Sequence, residues 1–405
     1  MTKNKRKIDI VEPLWTGEKH SSFNAAFLQT IGGLYKDCDI TFYAEKKHAA
    51  CVKEKLVTAD NGGIPNISYL RTIYPDKKIK LPLLYLLSVL QSIRFLFKNS
   101  KSDLVFFTGI SPFALVFLRI LNFKRKQFLV VCHGELAFLD VATHQYLNMH
   151  YRILAKVFRC SFAFCLKSRY MFPIILGEHI LQGVMEYVDA GLLRAKAITI
   201  EHPYIFSEET VTKDSEPVRK LRIATVGLAT RVKKSHYIME LYSHLNEKGL
   251  LPQVELSIVG KVADFIEELE RTDIRYYKAT EFIPQEEYDR RISEQDYILF
   301  FYPDSTYRLT ASGAFLDAIL HNKPIIALRN QCFEHYISKV GSIGYITDDV
   351  AEMAEVVKRC VQNRTGEAAR FDINIIRLKK MFGIESVSAE LGKQLLDKGL
   401  LRYSR

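Results

Sequence analysis

The sequence lacks the motifs that point directly to the commonest cofactor and metal chemistries. It contains no Gly-x-Gly-x-x-Gly and no Gly-x-x-x-x-Gly-Lys-Ser/Thr motif, so neither a dinucleotide fingerprint nor a P-loop is indicated. No Cys-x-x-Cys pair occurs and the number of cysteines is odd, so neither a zinc site nor a disulfide framework is indicated. The cysteines are scattered, mostly within apolar runs, and favour a reducing compartment: Cys38, Cys51, Cys132, Cys160, Cys165, Cys332 and Cys360.

Long apolar segments are also missing. The basic residues 1–7 are followed by a short apolar segment, residues 8–14, which is broken by Asp9, Glu12 and Pro13. This pattern does not predict a secretory signal. The longest apolar stretches, such as residues 81–90, fall well short of the roughly twenty residues that span a bilayer. We therefore expect a cytoplasmic protein.

Positive charge is concentrated in one half of the 405-residue chain. Residues 1–206 contain 28 Lys and Arg against 16 Asp and Glu, whereas residues 207–405 contain 29 against 30. Binding to a polyanion or to an anionic membrane predicts such an asymmetry. A basic but merely solvated surface is the alternative. The charge alone would also allow nucleic-acid binding, but no basic and aromatic platform supports it, and we expect no nucleic-acid partner.

Short apolar runs alternate with helical patterns along most of the chain, which predicts mostly parallel sheets covered on both faces. A polar stretch, residues 207–219, reads as a linker between an N-terminal domain, residues 1–206, and a C-terminal domain, residues 220–380. The predicted fold class is therefore α/β, with two doubly wound Rossmann-like domains facing a central cleft. The predicted strands are 7–12, 39–44, 67–74, 103–108, 128–132, 162–166, 197–200, 222–226, 254–259, 275–277, 297–302, 324–328 and 344–347.

Residues 297–330 predict a strand, loop, helix and strand, a βαβ unit with a candidate phosphate site. Ser312 is a good N-cap, and Gly313 has no side chain to block approach to the free N–H groups of the helix. Asp317, one turn further along, is placed to reach the hydroxyls of a ribose. The alternative is an ordinary crossover, in which Ser312 is a structural cap and Asp317 lies on a solvated face.

The C-terminal domain begins with a strand that ends at Gly227 and is followed by a basic loop with Arg231 and Lys234. Cations at the mouth of a strand–loop–helix turn suit a diphosphate. A second strand ends at Gly260 and Lys261, which places both loops at the same sheet edge. The turn that contains Phe282 and Ile283 is a candidate border of a base pocket.

The order of these parts resembles the nucleotide-sugar-binding domain of GT-B glycosyltransferases, especially the family-4-like enzymes of bacterial surface polysaccharide synthesis. Lys234-Ser-His236 is similar to the end of the family's basic loop, and Ile258-Val-Gly260 to its Val-Gly strand end. Residues 315–327, Phe-Leu-Asp-Ala-Ile-Leu-His-Asn-Lys-Pro-Ile-Ile-Ala, resemble the segment that follows the family's acidic pair. The resemblance covers residues 222–348 well and the first half only loosely.

The resemblance implies that Arg231 and Lys234 hold the donor diphosphate and that Asp317, the second acid of the pair, binds the ribose. The first acid falls at Leu309, which departs from the family pattern. Neighbouring Tyr307 and Arg308 are candidates for a substitute contact to the donor. The resemblance also implies that the C-terminal helix, residues 381–405, returns to the N-terminal domain.

In the first half, His133 just past a buried strand resembles the family histidine that faces the donor sugar; a histidine satisfied by local backbone is the alternative. Glu18, His20 and Glu135 are candidate general bases if the reaction inverts the anomeric centre. If the reaction retains it, as the resemblance implies, the departing phosphate assists and no side-chain base is needed. The family is generally metal-independent, so we expect no metal and no other cofactor.

These features predict a hexosyltransferase-type enzyme that moves a sugar from a nucleotide-diphosphate donor to a lipid-linked glycan in bacterial surface polysaccharide synthesis. Two basic, partly apolar segments, residues 81–98 and 110–126, predict peripheral association with the inner face of the cell membrane, although core helices with basic flanks remain the alternative. Two other functions stay open. One is a nucleotide-sugar epimerase of the same fold, and the other is a degenerate GT-B subunit without turnover.

Overall fold

A computed structural model describes residues 5–57, 66–70, 81–98, 102, 104–111, 113–140, 149–206, 219–278, 283–303, 307–363 and 368–401. These residues belong to two compact units. The first lies within Met1–Ile205, Leu309–Ala311 and Met381–Arg405, and the second within Phe206–Arg308 and Ser312–Lys380.

The first unit is built on a seven-stranded sheet. Its strands are β1 Lys7–Val11, β2 Asp39–Ala44, β3 Asn66–Tyr69, β4 Leu104–Phe107, β5 Gln127–Cys132, β6 Met171–Leu176 and β7 Ile198–Ile200. They lie in the order β3-β2-β1-β4-β5-β6-β7, and all of the described strand pairs are parallel. The helices are α1 Ser21–Leu34, α2 Lys46–Val57, α3 Leu81–Lys98, α4 Ala114–Ile120, α5 Met149–Leu166, α6 Glu178–Met185 and α7 Ala190–Lys196, with a 3₁₀ helix at Gly134–Leu139.

Each face of this sheet carries its own hydrophobic core, because successive residues of a strand point to opposite faces. In β4, Leu104 and Phe106 pack into one core, whereas Val105 and Phe107 pack into the other. Burial on both faces explains why the strands read as continuous apolar runs rather than as alternating ones.

The second unit contains a six-stranded sheet. Its strands are β8 Leu221–Val226, β9 Val254–Val259, β10 Arg275–Tyr276, β11 Tyr297–Phe300, β12 Ile325–Leu328 and β13 Gly344–Thr347. They lie in the order β10-β9-β8-β11-β12-β13, again with parallel pairs throughout the described residues. The helices that follow in the chain are α8 Tyr237–Glu247, α9 Ile266–Leu269, α10 Gln285–Ser293, α11 Gly313–Leu320, α12 Gln331–Val340, α13 Val350–Gln362, α14 Ala368–Phe382 and α15 Ile384–Asp397.

The last helix, α15, packs on the first unit. Its Ser388 hydroxyl donates a hydrogen bond to the Thr30 carbonyl of α1 at 3.3 Å. The Gln394 side chain accepts the Thr199 N–H at 2.8 Å and donates to the Thr199 carbonyl at 2.6 Å. Gln394 therefore satisfies backbone groups of β7, which is an edge strand.

The predicted fold class is confirmed in that both sheets are parallel and are flanked by helices. One predicted strand is wrong: residues 162–166 form the last turn and a half of α5, and the strand of that region is β6. A short apolar run fits a buried helix face as well as a strand, and the preceding residues of α5 continue the helical pattern. Of the predicted strand 67–74, residues 71–74 lie outside the described part of the chain.

Within the described ranges, no helix combines the length and the apolar content that crossing a bilayer requires.

The close approach of two strand-end loops predicts that Gly260→Ala is strongly destabilising. Gly260 has φ +149, and a β-carbon there would lie 1.9 Å from the Gly227 carbonyl oxygen. We expect a loss of more than about 3 kcal/mol in the free energy of unfolding, measured by urea denaturation. Gly249→Ala is the matched control, because Gly249 also has positive φ but no heavy atom within 4 Å of the new methyl group. Equal losses for the two variants would contradict this account.

Candidate functional site

In the second unit, two glycines at the carboxyl ends of adjacent strands bring their loops into contact. The N–H of Gly227, after β8, donates a hydrogen bond to the Val259 carbonyl beside Gly260, at 2.9 Å. The pairing continues past the strands, because the Ala229 N–H donates to the Lys261 carbonyl at 2.9 Å. The two loops are therefore extensions of the sheet, and the segment after Gly227 starts from a fixed position.

The basic segment after Gly227 forms a compact turn held by acidic residues. The Lys234 N–H donates to the Arg231 carbonyl at 2.9 Å, and Lys234 has φ +54. The Asp264 carboxylate accepts the Arg231 N–H at 3.0 Å, and Glu268 forms an ion pair with the Arg231 guanidinium. Neither acid is evident from the sequence, because each lies more than 30 residues from Arg231. A phosphate that binds Arg231 must compete with Glu268.

A series of ring contacts connects this basic turn with the first turn of α11. The Lys233 Nζ lies 5.9 Å from the ring centroid of Tyr307, and the Tyr307 and Tyr302 rings lie 4.2 Å apart. The Tyr302 hydroxyl is 3.3 Å from the Ser312 Oγ, which also accepts the Phe315 N–H at 3.3 Å. Ser312 is thus the N-cap of α11, and the ring contacts connect it with Lys233 of the basic turn.

Asp317, on α11, is held by a tyrosine that the sequence analysis missed. The Tyr288 hydroxyl donates to the Asp317 Oδ2 at 3.0 Å. A methyl group at Gly227 would lie 3.5 Å from the Ala314 Cβ and 3.8 Å from the Tyr288 hydroxyl oxygen, so the β8 loop, α10 and α11 meet here. A methyl group at Gly313 would have no heavy atom within 4 Å, which leaves the start of α11 open to approach.

Four further residues were predicted for the donor site: Lys261, Phe282, Ile283 and Arg308. Lys261 and Arg308 are half-buried, and Ile283 is buried immediately before the N-cap of α10. Phe282 lies outside the described residues.

In the first unit, His133 lies at the carboxyl end of β5 and is bound to the end of the neighbouring strand β4. Its Nε2–H donates to the Thr108 carbonyl at 2.9 Å. A carbonyl only accepts, so the proton is on Nε2 and Nδ1 is left as an acceptor. The His133 N–H donates to the Glu135 Oε2 at 3.0 Å. The predicted base Glu135 is buried and binds the backbone of the loop that carries His133.

His133 belongs to a cluster of uncharged aromatic rings with His20 and His202. The His20 and His133 ring centroids are 4.7 Å apart, His20 stacks on Trp15 at 5.0 Å, and Phe23 lies edge-on to His133 and His202 at 4.4 and 4.9 Å. Burial, the largest cause, lowers the pKa of His20 and of His202 to about 4, and it also holds the pKa of His133 well below its usual value. The cluster therefore offers hydrogen bonds at neutral pH rather than positive charge.

A buried polar network fixes the loop that carries His20. Glu12, at the end of β1, accepts the Trp15 N–H at 3.0 Å and the Asn24 side-chain N–H at 3.4 Å. Asn24 also contacts the His48 Nε2 at 2.7 Å, and the His48 Nδ1–H donates to the Gly17 carbonyl at 2.7 Å. The loop is thus held at both of its ends. Sequence reasoning missed this network because its members are spread over 36 residues.

Two other positions bear on the predicted site. Glu18, a predicted base, is exposed on the loop between β1 and α1. Leu309, where the family pattern places its first acid, is 3% exposed and packs in the first unit's core with Val11 and Phe107. An acid at this position would be buried among apolar side chains, so its absence has a packing reason. Among the described residues, no three His, Cys, Asp or Glu side chains converge on a common metal position.

Neither a protein-family model nor a curated protein matches the sequence. Solved structures do match over nearly the whole chain. HepE from Anabaena in complex with UDP is 12% identical, covers 97% of this chain and 100% of its own, and has a TM-score of 0.63. Sucrose-phosphate synthase from Thermosynechococcus elongatus is 13% identical and covers 97% of this chain and 99% of its own, with a TM-score of 0.66.

A third similar structure is WaaG, a glycosyltransferase involved in lipopolysaccharide biosynthesis. It is 9% identical and covers 96% of this chain and 99% of its own, with a TM-score of 0.60. At such low identity, these likenesses concern the fold. The chain has the GT-B fold of glycosyltransferases.

The burial of Glu135 predicts a specific dependence of stability on pH. Burial, the largest cause, raises its pKa from 4.5 to about 7, so the folded state retains a proton that the unfolded state loses. This contribution to stability is present below pH 4.5 and is lost as the pH rises through 7. Between pH 5 and pH 8, the free energy of unfolding of Glu135→Gln should therefore rise by up to about 3 kcal/mol relative to that of the native protein, measured by urea denaturation.

Glu18→Gln, which removes an exposed carboxyl group three residues before α1, is the control for this experiment and should show no such gain. A constant difference between native protein and Glu135→Gln across the pH range would mean that Glu135 is ionised in the folded state.

Proposed function

We propose that the protein is a metal-independent glycosyltransferase that transfers a sugar from a nucleoside diphosphate donor to a glycan acceptor. The observation that carries the proposal is the contact series from Lys233 through Tyr307 and Tyr302 to Ser312, which connects the basic turn with an open helix N-terminus. Such a region suits a diphosphate, because charge-assisted bonds and free N–H groups act on the same anion. HepE, which shares the fold, binds UDP and UDP-glucose in its structures.

In this proposal each donor residue has a distinct role. Arg231 and Lys234 bind the diphosphate, with the N–H groups at Gly313 as further donors. Asp317, oriented by Tyr288, accepts hydrogen bonds from the ribose hydroxyls. The diphosphate displaces Glu268 from Arg231, so nucleotide binding exchanges one ion pair for another.

The histidine cluster of the first unit would act on sugar hydroxyls. Because His20 and His133 are uncharged, they bind neutral hydroxyl groups without attracting a second phosphate. The free Nδ1 of His133 is an acceptor for a hydroxyl proton. Glu135 and Glu12 hold the backbone of the two loops, so we assign them to positioning rather than to proton transfer.

We further propose that the acceptor is a lipid-linked glycan of bacterial surface polysaccharide synthesis, and that the enzyme works at the inner face of the cell membrane. The basic first half supports this location, since anionic lipids attract cations. WaaG, which shares the fold, is involved in lipopolysaccharide biosynthesis.

Isothermal titration with UDP tests the donor site. Lys234→Ala should weaken binding by about 1.5–3 kcal/mol, because it removes a charge-assisted contact. Lys358→Ala is the matched control: it removes an exposed lysine of the same unit from α13 and should leave the affinity unchanged. If Lys234→Ala binds UDP as tightly as the native protein, the phosphate assignment is wrong.

Turnover tests the histidine assignment. His133→Ala should lower kcat at least about tenfold with a panel of UDP-sugars and membrane extract as acceptor source, while UDP affinity stays within about twofold. His133→Gln, whose amide can still donate to the Thr108 carbonyl, should restore part of the loss. Equal losses of turnover and UDP affinity would indicate a structural role.

The same assay of the native protein separates the alternative functions. Sugar product without extract would favour the epimerase, and UDP binding without any product would favour the degenerate subunit.

A further inference from the structure

Exposed apolar side chains are concentrated on three neighbouring helices of the first unit. Ten of the fifteen large hydrophobic residues that are exposed in the described part of the chain lie on α3, α4 and α5 or directly after α4. We call this surface the α3–α5 face. Its ten exposed apolar residues are Leu83, Leu86, Leu90, Phe97, Phe117, Ile120, Phe123, Met149, Ile153 and Phe164.

The three helices form a continuous surface because α4 packs against both of the others. The Ser111 hydroxyl, before α4, donates to the Tyr85 carbonyl of α3 at 2.7 Å. The Cys165 thiol of α5 donates to the Leu115 carbonyl of α4 at 3.2 Å, and Arg119 donates to the Phe164 carbonyl.

The exposed residues follow the helical period, so each helix turns one stripe outwards. On α3, Leu83, Leu86, Leu90 and Phe97 are spaced by three, four and seven residues, which places them on one face. The opposite face of α3 is buried in the core of the unit. Core packing explains the buried apolar face of α3. It does not explain the second apolar stripe, which is exposed.

The charge of this face has a single sign. Helices α3, α4 and α5 and the segments 121–126 and 167–170 contain no Asp or Glu. Among the side chains that the structure describes in these segments, eight cations are exposed: Arg94, Lys124, Arg125, Arg152, Lys156, Arg159, Lys167 and Arg169. A surface that joins apolar residues to cations without acids fits a partner that is anionic at its surface and apolar beneath it.

We propose that the α3–α5 face docks on an anionic lipid bilayer, with its cations at the phosphate headgroups and its aromatic and aliphatic side chains in the interfacial layer. A nucleic acid would bind the cations but leave the apolar stripes in water. A second copy of the chain would bring like charges together on this face. The inference deepens the proposed function by assigning the surface that reaches a lipid-linked acceptor, and lipid binding is measurable without any transfer reaction.

Vesicle cosedimentation of the full chain tests the proposal. We expect binding to vesicles that contain phosphatidylglycerol, little binding to phosphatidylcholine alone, and weaker binding as salt is raised. Lys124→Glu/Arg152→Glu/Arg159→Glu should lower the partition coefficient roughly 100-fold or more. Leu86→Ser/Leu90→Ser/Phe123→Ser should lower it at least about tenfold and leave the salt dependence in place. Ile373→Ser/Ile376→Ser is the control: it removes exposed apolar residues of α14 in the second unit and should leave the partition coefficient unchanged.

A label on Cys160 reports which surface meets the lipid. Cys160 is exposed on α5, Cys38 and Cys51 are half-buried, and the other four cysteines are buried. In a Cys38→Ser/Cys51→Ser background, an environment-sensitive dye on Cys160 should shift to shorter wavelength with phosphatidylglycerol vesicles. The same dye on an Ile373→Cys variant that also lacks Cys160 should not shift.

Several outcomes would overturn the proposal. One is that the native protein does not pellet with phosphatidylglycerol vesicles at low salt. Another is that both triple variants pellet as much as the native protein. A third is that the native protein forms dimers that the triple serine variant does not form. Tighter binding to a nucleic acid than to vesicles would also overturn it. Circular dichroism and UDP titration of each variant exclude misfolding. Vesicle binding by a native protein that fails to bind UDP would leave this inference standing and remove the proposed function.

Discussion

In a parallel sheet, every strand ends at the same edge, and the candidate sites of both units depend on this constraint. In the first unit, β1, β4 and β5 are adjacent in the sheet, so Glu12, Thr108 and His133 follow neighbouring strand ends. In the second unit, the adjacency of β8 and β9 places Gly227 beside Gly260. Residues that are distant in sequence thus become neighbours through strand order alone.

The two units use opposite electrostatic means at these edges. The first unit buries its polar groups, and the cost of burial keeps His20, His133 and His202 uncharged. The second unit places cations at the surface, where Arg231 forms an ion pair with Glu268. Within the proposed function, this difference separates the recognition of hydroxyl groups from the recognition of phosphate.

Sequence patterns were sufficient for the repeating part of the fold and for residues that lie next to strand ends. The strand of residues 254–259 and the cap at Ser312 follow from local apolar runs and local chemistry, and the structure contains both. The strand predicted at 162–166 is wrong because five apolar residues fit a helix and a strand equally well. The hydrogen-bond partners of the predicted residues could not be predicted from the sequence. Tyr288 and Asp317, for example, are 29 residues apart and pair only through the fold.

The departure at Leu309 illustrates the same limit. The sequence shows only that leucine stands where the resemblance places an acid, whereas the structure shows that the position is part of an apolar core. Whether a position can hold a charge depends on its surroundings, and these come from several distant segments. A sequence motif therefore predicts the role of a residue only when the residues around it in the structure are also close to it in sequence.

The composition of the first unit has a practical consequence for dissecting the protein. Its core includes Val387, Leu391 and Leu395 of α15, so a fragment that ends at residue 206 would leave the apolar side of α1 uncovered. Residues 207–218 of the predicted linker lie outside the described part of the chain. The two units are consequently not interchangeable modules that a protease or a cloning boundary separates cleanly. Exchanging the second unit between proteins of this fold would require the last helix to stay with the first half of the chain, as a circular permutation would allow.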